Sequence, residues 1–262
     1  MQKVRSQVSN YIFIFIVGVF VFSTVLAMPK PVQAATSSVT SSVKTEIIAQ
    51  GTKYATELYV IESGVPGPVV MIVGGVHGNE TAGYKAADQV KDYSIQKGTL
   101  IVLPQANKRA DAAHTRDIGG ADLNRDFPTS KSDKPDNTLS TAIFNVVKEY
   151  NVDWLMDMHE GANYSKIKSS SSVGQSLIYY PAVQTKTIAT SIVNTLNKGI
   201  STSYKDYSLL RYPTSGSLAS ASAKVLGVNS FIFETCSKDP LSTRIRYQLK
   251  AADMLLNYLQ MK

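Results

Sequence analysis

The stretch Val69-Val70-Met71-Ile72-Val73-Gly74 runs directly into Gly75-Val76-His77-Gly78-Asn79-Glu80. A short continuous apolar run that ends in a glycine-rich bend reads as a strand buried on both faces. The bend then presents a histidine and a glutamate three residues apart. Either the two side chains bind a metal or they form a polar turn, and the rest of the chain has to decide between these.

The apolar run recurs in Thr99–Pro104 (TLIVLP), Val152–Met158 (VDWLMDM) and Val228–Glu234 (VNSFIFE). Between the runs, helices are predicted over about 80–96 with Asn79 as cap, over 138–150, 182–198 and 216–226, and over 240–260 at the end. Residues 44–62 read as two strands around Gly51, and 177–180 as a further short strand. Residues 105–136 read as irregular, and the serine- and glycine-rich stretch 162–175 as a mobile loop. Buried strands alternating with helices predict an α/β fold with a mostly parallel sheet covered on both faces. Sites in such sheets lie beyond the carboxyl ends of the strands.

Four polar clusters fall at such places. They are His77 with Glu80, Asp122-Leu123-Asn124-Arg125-Asp126-Phe127-Pro128 with Arg116 ahead of it, Asp157-Met158-His159-Glu160-Gly161, and Phe233-Glu234-Thr235. A catalytic zinc takes three protein ligands from imidazole and carboxylate and leaves a fourth position open. His77, Glu80 and His159 supply that set. Glu234 then stands as general base for a water at the open position. Arg116, Asn124 and Arg125 suit a carboxylate or a developing oxyanion, which a guanidinium binds bidentately. Taken singly each cluster is weak, since a lone His-x-x-Glu arises easily by chance.

The motifs GGVHGNE, DLNRDFP, DMHEG and FET, in this order, resemble the zinc carboxypeptidase superfamily. Their spacing is most similar to its aspartoacylase/succinylglutamate desuccinylase branch, over about residues 65–260. The resemblance implies an α/β/α sandwich around a mixed sheet, with one Zn2+ per chain held by His77, Glu80 and His159. It implies that Arg116 polarises the scissile carbonyl, that Asn124 and Arg125 grip the substrate's carboxylate, and that Glu234 is the catalytic glutamate. One helix follows Glu234 where aspartoacylase-like enzymes carry a further β-rich domain, so a more open site is expected. A metallocarboxypeptidase acting on a peptide or cell-wall peptide and an N-acyl amino acid deacylase both stand as expectations. The rival from another class is a non-catalytic wall-binding domain. A serine hydrolase is disfavoured, because the chain has no G-x-S-x-G elbow.

Residues 1–34 read as a secretory signal peptide. Lys3 and Arg5 precede an apolar run from Tyr11 to Ala27, and Val32-Gln33-Ala34 resembles a cleavage site. An uncleaved membrane anchor is the competing reading. Residues 35–43 read as a polar linker, leaving 44–262 as the hydrolase domain. An extracytoplasmic location follows, with no stable membrane association after cleavage. Without its first 34 residues the chain falls from +7 to +4 and has no basic block, so no nucleic-acid partner is expected. A single cysteine, Cys236, excludes an intrachain disulfide.

Four further residues carry weaker expectations. His114 reads as an exposed loop residue, and Glu160 as either a group orienting a ligand or a solvated carboxylate. Tyr212 is a candidate substrate phenol, and Cys236 a packing residue.

Overall fold

The computed structural model describes residues 41–262. The predicted signal peptide and most of the predicted linker lie outside the described residues. The first strand, β1 (Ser42–Ile48), takes in the last two residues of that linker. It forms the expected antiparallel pair with β2 (Thr56–Glu62). The opening stretch is β3 (Val69–Gly74), followed by helix α1 (Thr81–Val90), β4 (Thr99–Leu103) and α2 (Lys108–Ala113). Helix α3 (Thr138–Glu149), β5 (Trp154–Gly161), β6 (Ser176–Tyr179) and α4 (Val183–Asn197) come next. Strand β7 (Ser208–Arg211), α5 (Leu218–Leu226), β8 (Asn229–Cys236) and α6 (Leu241–Tyr258) complete the order.

The eight strands form one sheet in the order β1-β2-β4-β3-β5-β8-β6-β7. Its centre, β4-β3-β5-β8, is parallel throughout. The outer strands run antiparallel where β2 meets β4 and where β6 meets β8. Alternation along β3 divides the core, because successive side chains point to opposite faces. Val70 and Ile72 pack with α1, α4 and α6, whereas Met71 and Val73 pack with α3 and α5. Each face is therefore covered by helices, giving the expected α/β/α sandwich. Trp154 is buried in the first of these layers, with its ring edge-on to Tyr258, as a core residue.

Three local readings change. Helix α1 stops at Val90 rather than near 96, because the chain turns there through Tyr93 N–H to Val90 O (3.0 Å), and Gln96 N–H then bonds Met261 O (2.8 Å). Helix α2 lies inside the stretch read as irregular. It has six residues, too few to show an amphipathic period, and is started by Asn107, whose side chain accepts from Ala110 N–H. Strand β7 is as short as β6 but only half-buried, and SLLR shows neither an apolar run nor an alternation.

Candidate active site

The bend after β3 is shaped by contact with α2. A Cβ on Gly78 would stand 1.9 Å from the Ala110 carbonyl carbon, so only glycine fits. Gly75 turns through a positive φ of 70° beside Asp111. This close approach seats His77, and the N-cap of α1 is Glu80 rather than the expected Asn79. Glu80 makes no side-chain cap bond, since its carboxylate faces the site. Glu160 serves the helix start instead, accepting from Ala82 N–H at 2.8 Å.

Strands β5 and β8 bring the other groups. They pair in parallel with His159 directly opposite Glu234, so both side chains project on one face at the strands' carboxyl ends. His77, Glu80 and His159 offer ligand atoms that all lie within 4.8 Å of one another, and all three residues are buried. Glu80 Oε1 is 2.7 Å from His77 Nδ1, and its Oε2 is 2.9 Å from His159 Nδ1. Both imidazoles thus turn the same ring nitrogen inward. The Glu160 N–H donates to Glu80 Oε2 at 2.8 Å and fixes that carboxylate.

Each histidine also has a carboxylate behind it. His77 Nε2 is 2.8 Å from Asp122 Oδ1. His159 Nε2 is 2.9 Å from Asp157 Oδ2, out of line for a hydrogen bond, and neither Asp157 oxygen has a hydrogen-bond partner among the described residues. Asp157 therefore acts on His159 by charge. Burial works against a charged His159, yet Asp157 and Glu80 together raise its pKa well above 6.5. Burial likewise opposes ionisation of Glu80, but His159 and His77 hold it well below the usual carboxylate range. Asp122 is held low against its own burial by His77 and Arg116.

Two imidazoles and a carboxylate converging on an open cavity, with acidic groups behind the imidazoles, form a donor set suited to a divalent metal. The residues present fit such an ion.

The cavity, about 400 Å³, is lined by all seven residues expected at the site: His77, Glu80, Arg116, Asn124, Arg125, His159 and Glu234. Burial pushes Glu234 up to about 8, with Glu80 and Asp157 adding to the shift and His159 opposing it. Its Oε2 has no hydrogen-bond partner among the described residues. Arg116 reaches Glu80 Oε1 (3.2 Å) and Asp122 Oδ2 (3.0 Å). Arg125 donates to the Asn124 carbonyl (2.6 Å) and lies 4.0 Å from Asp122. Asn124 is fixed by Leu218 N–H, which donates to its Oδ1 at 3.0 Å.

The weaker candidates separate. His114 is exposed and ends α2 in a left-handed turn, away from the cavity. Tyr212 is 60% exposed and is not among the residues lining the cavity. Cys236 is buried. Although its backbone N–H holds the Glu80 carboxylate, the Glu160 side chain neither reaches a candidate ligand nor meets solvent. Its carboxylate is held inside by Arg244 (2.5 Å) and the Thr235 hydroxyl (3.1 Å).

Asp122 and Asp157 stand behind the histidines without having been expected there. Asp157 stands two residues before His159 on a strand, so the shared face was a readable signal. Ser170–Val173, within the stretch read as a mobile loop, also line the cavity. Their loop is tied down rather than loose, through Ser165 N–H to Gly174 O (2.7 Å) and Asn163 N–H to Ser172 Oγ (2.9 Å).

Comparison with known proteins agrees with this architecture. No curated protein matches the chain significantly by sequence. Among solved structures, the tripeptide-bound cell shape determinant Csd4 of Helicobacter pylori superposes with a TM-score of 0.66 at 19% identity, over 85% of this chain and 56% of that one. The mDAP-bound form of Csd4, a D,L-carboxypeptidase, gives 0.63 at 21% identity over 75% and 52%. A succinylglutamate desuccinylase/aspartoacylase from Rhodobacter sphaeroides gives 0.60 at 18% over 85% and 65%. The chain spans about half the length of the Csd4 structures it matches. At these identities the likeness is one of fold. The sequence itself matches the succinylglutamate desuccinylase/aspartoacylase catalytic domain over residues 66–258. The chain belongs to that family of hydrolases.

Proposed function

We propose that this protein is an exported, zinc-dependent hydrolase that cleaves an amide bond next to a free carboxylate, on a peptide such as one released from a cell wall. The observation that carries the reading is the lining of one cavity by a three-donor metal set, an unpartnered buried glutamate and two arginines. Export rests on the sequence features of residues 1–34; none of the described helices is long and apolar enough to cross a membrane.

His77, Glu80 and His159 would hold the zinc, which supplies Lewis acidity toward water and the scissile carbonyl. Glu234, beside His159 with its Oε2 unpartnered among the described residues, is placed to take a proton from the attacking water and return it to the leaving amine. The Arg116 guanidinium is placed to donate to the developing oxyanion. Arg125 and Asn124 hold the substrate's carboxylate and so set which bond is cleaved. Asp122 already meets both guanidinium groups, so an incoming carboxylate competes with it for them.

The family match favours a second reading, N-acyl amino acid deacylation, with the same residues in the same roles. The test is metal analysis of the purified mature domain with its Glu234→Gln variant, assayed on acyl-peptides and on N-acyl amino acids. One zinc in both proteins with a loss of turnover of roughly 10²–10⁴-fold in the variant is expected, the range for removing a general base. Unchanged turnover would take the base role from Glu234, and a wild type that binds no zinc would overturn the reading.

A further inference from the structure

The charges lining the cavity are few, and most are already engaged. His77, Glu80 and His159 form the metal set, and Glu234 is the base. Glu160 also lines the cavity, but its carboxylate is 1% exposed and neutralised by Arg244. Two guanidinium groups remain. Arg116 is held closely by Glu80 (3.2 Å) and Asp122 (3.0 Å), whereas Arg125 approaches Asp122 only to 4.0 Å, which leaves Arg125 as the freer cation for a single carboxylate.

The rest of the wall carries no ion. Ile178 and Ile232 are direct partners across the antiparallel β6–β8 pair and both line the cavity. Ile232 shares a face with Glu234 two residues on, so the apolar floor lies beside the base. Ser170–Val173, Gly161, Ala162 and Thr214 close the remainder with small or neutral groups. A charged side chain brought against this wall would lose its water and meet no partner to replace it, which opposes binding. An apolar one would be favoured by each methylene it removes from water.

We propose that the substrate residue bearing the free carboxylate has a small, uncharged side chain seated on Ile178 and Ile232, and that acidic and basic side chains are rejected there. The proposal rests on the peptide-hydrolase reading above and names its substrate class.

The test is a panel of acyl-dipeptides identical except for a final alanine, leucine, aspartate or lysine, with N-acetylaspartate and N-succinylglutamate alongside, given to the zinc-loaded protein. Alanine and leucine substrates are expected to exceed aspartate and lysine ones by about 100-fold in kcat/KM. Aspartate or lysine substrates cleaved equally well would overturn this inference and leave the hydrolase reading standing. Cleavage of nothing in the panel would overturn both. Thr214→Arg, at an exposed position on the same wall, supplies a cation without disturbing the core. It is expected to raise the aspartate-to-alanine ratio about 10-fold, and an unchanged ratio would overturn the placement of the side chain. Calorimetric binding of N-acetylalanine and N-acetylaspartate to the metal-free chain should follow the same order as turnover, and the reverse order would overturn the inference without reference to catalysis.

Discussion

Asp111 sits in α2 against the Gly75 bend, 2% exposed, with no hydrogen-bond partner for either oxygen among the described residues. Burial pushes its pKa from 3.8 up to about 8. The folded chain then binds this proton more tightly than the unfolded chain does. Stability from the group is full below about pH 4 and declines as pH rises toward 8. Asp111→Asn should remove that decline. It should match the wild type near pH 4 and exceed it by a few kcal/mol at pH 9, because the decline amounts to about 1.4 kcal/mol for each pH unit between the unfolded and folded pKa. Denaturant melts across that range test this, and parallel curves would mean that the carboxyl group is not held neutral. Glu234 adds its own decline, which the variant retains. Asp122 offers a separate test at this scale, because it braces His77 from behind. Asp122→Asn should weaken metal affinity about 10- to 100-fold without unfolding the chain, as read by competition with a chelating dye. The His-x-x-Glu pair was legible from its spacing, but these two aspartates were not. Their roles depend on what stands across from them after folding.

Among the elements, α1 shows how the interior substitutes for a local signal. Its first residue offers no cap, and the orphan N–H of Ala82 is met by Glu160 from β5. Glu160 is in turn neutralised by Arg244 of α6, so one ion pair joins two helices to the centre of the sheet. Arg244→Met should cost about 3 kcal/mol by leaving that carboxylate buried and unpaired. A loss of thermal stability that Glu160→Gln in the same chain largely restores would bear this out, whereas additive losses would refute the coupling. The long buried strands and amphipathic helices were readable because their periodicity extends over several turns or residues. Helix α2 was not, being too short to show a period, and half-buried β7 carries no apolar run.

For the molecule as a whole, stability has two sources of different size. Two apolar layers enclose the central strands on both faces, so the fold does not depend on metal as a small zinc domain does. Chelation should therefore lower the melting temperature but leave a folded protein. The loss should correspond to about 4 kcal/mol when zinc had stood at roughly a thousandfold excess over its Kd. Calorimetry with and without chelator measures it, and an unfolded metal-free chain would show that the core alone is insufficient.

The amino-acid sequence by itself determined the sandwich class, the succession of buried strands along the chain and seven of the residues that line the cavity. Each of those is a local pattern: an apolar run, a helical period, or a short motif at the end of a strand. Tertiary structure alone decided that Asp122 stands behind His77, that Glu160 turns inward to Arg244, and that Ile178 meets Ile232 beside Glu234. Those relations join residues far apart in the chain. They arise only when strand register and helix packing bring them together, and no spacing along one strand or helix encodes them.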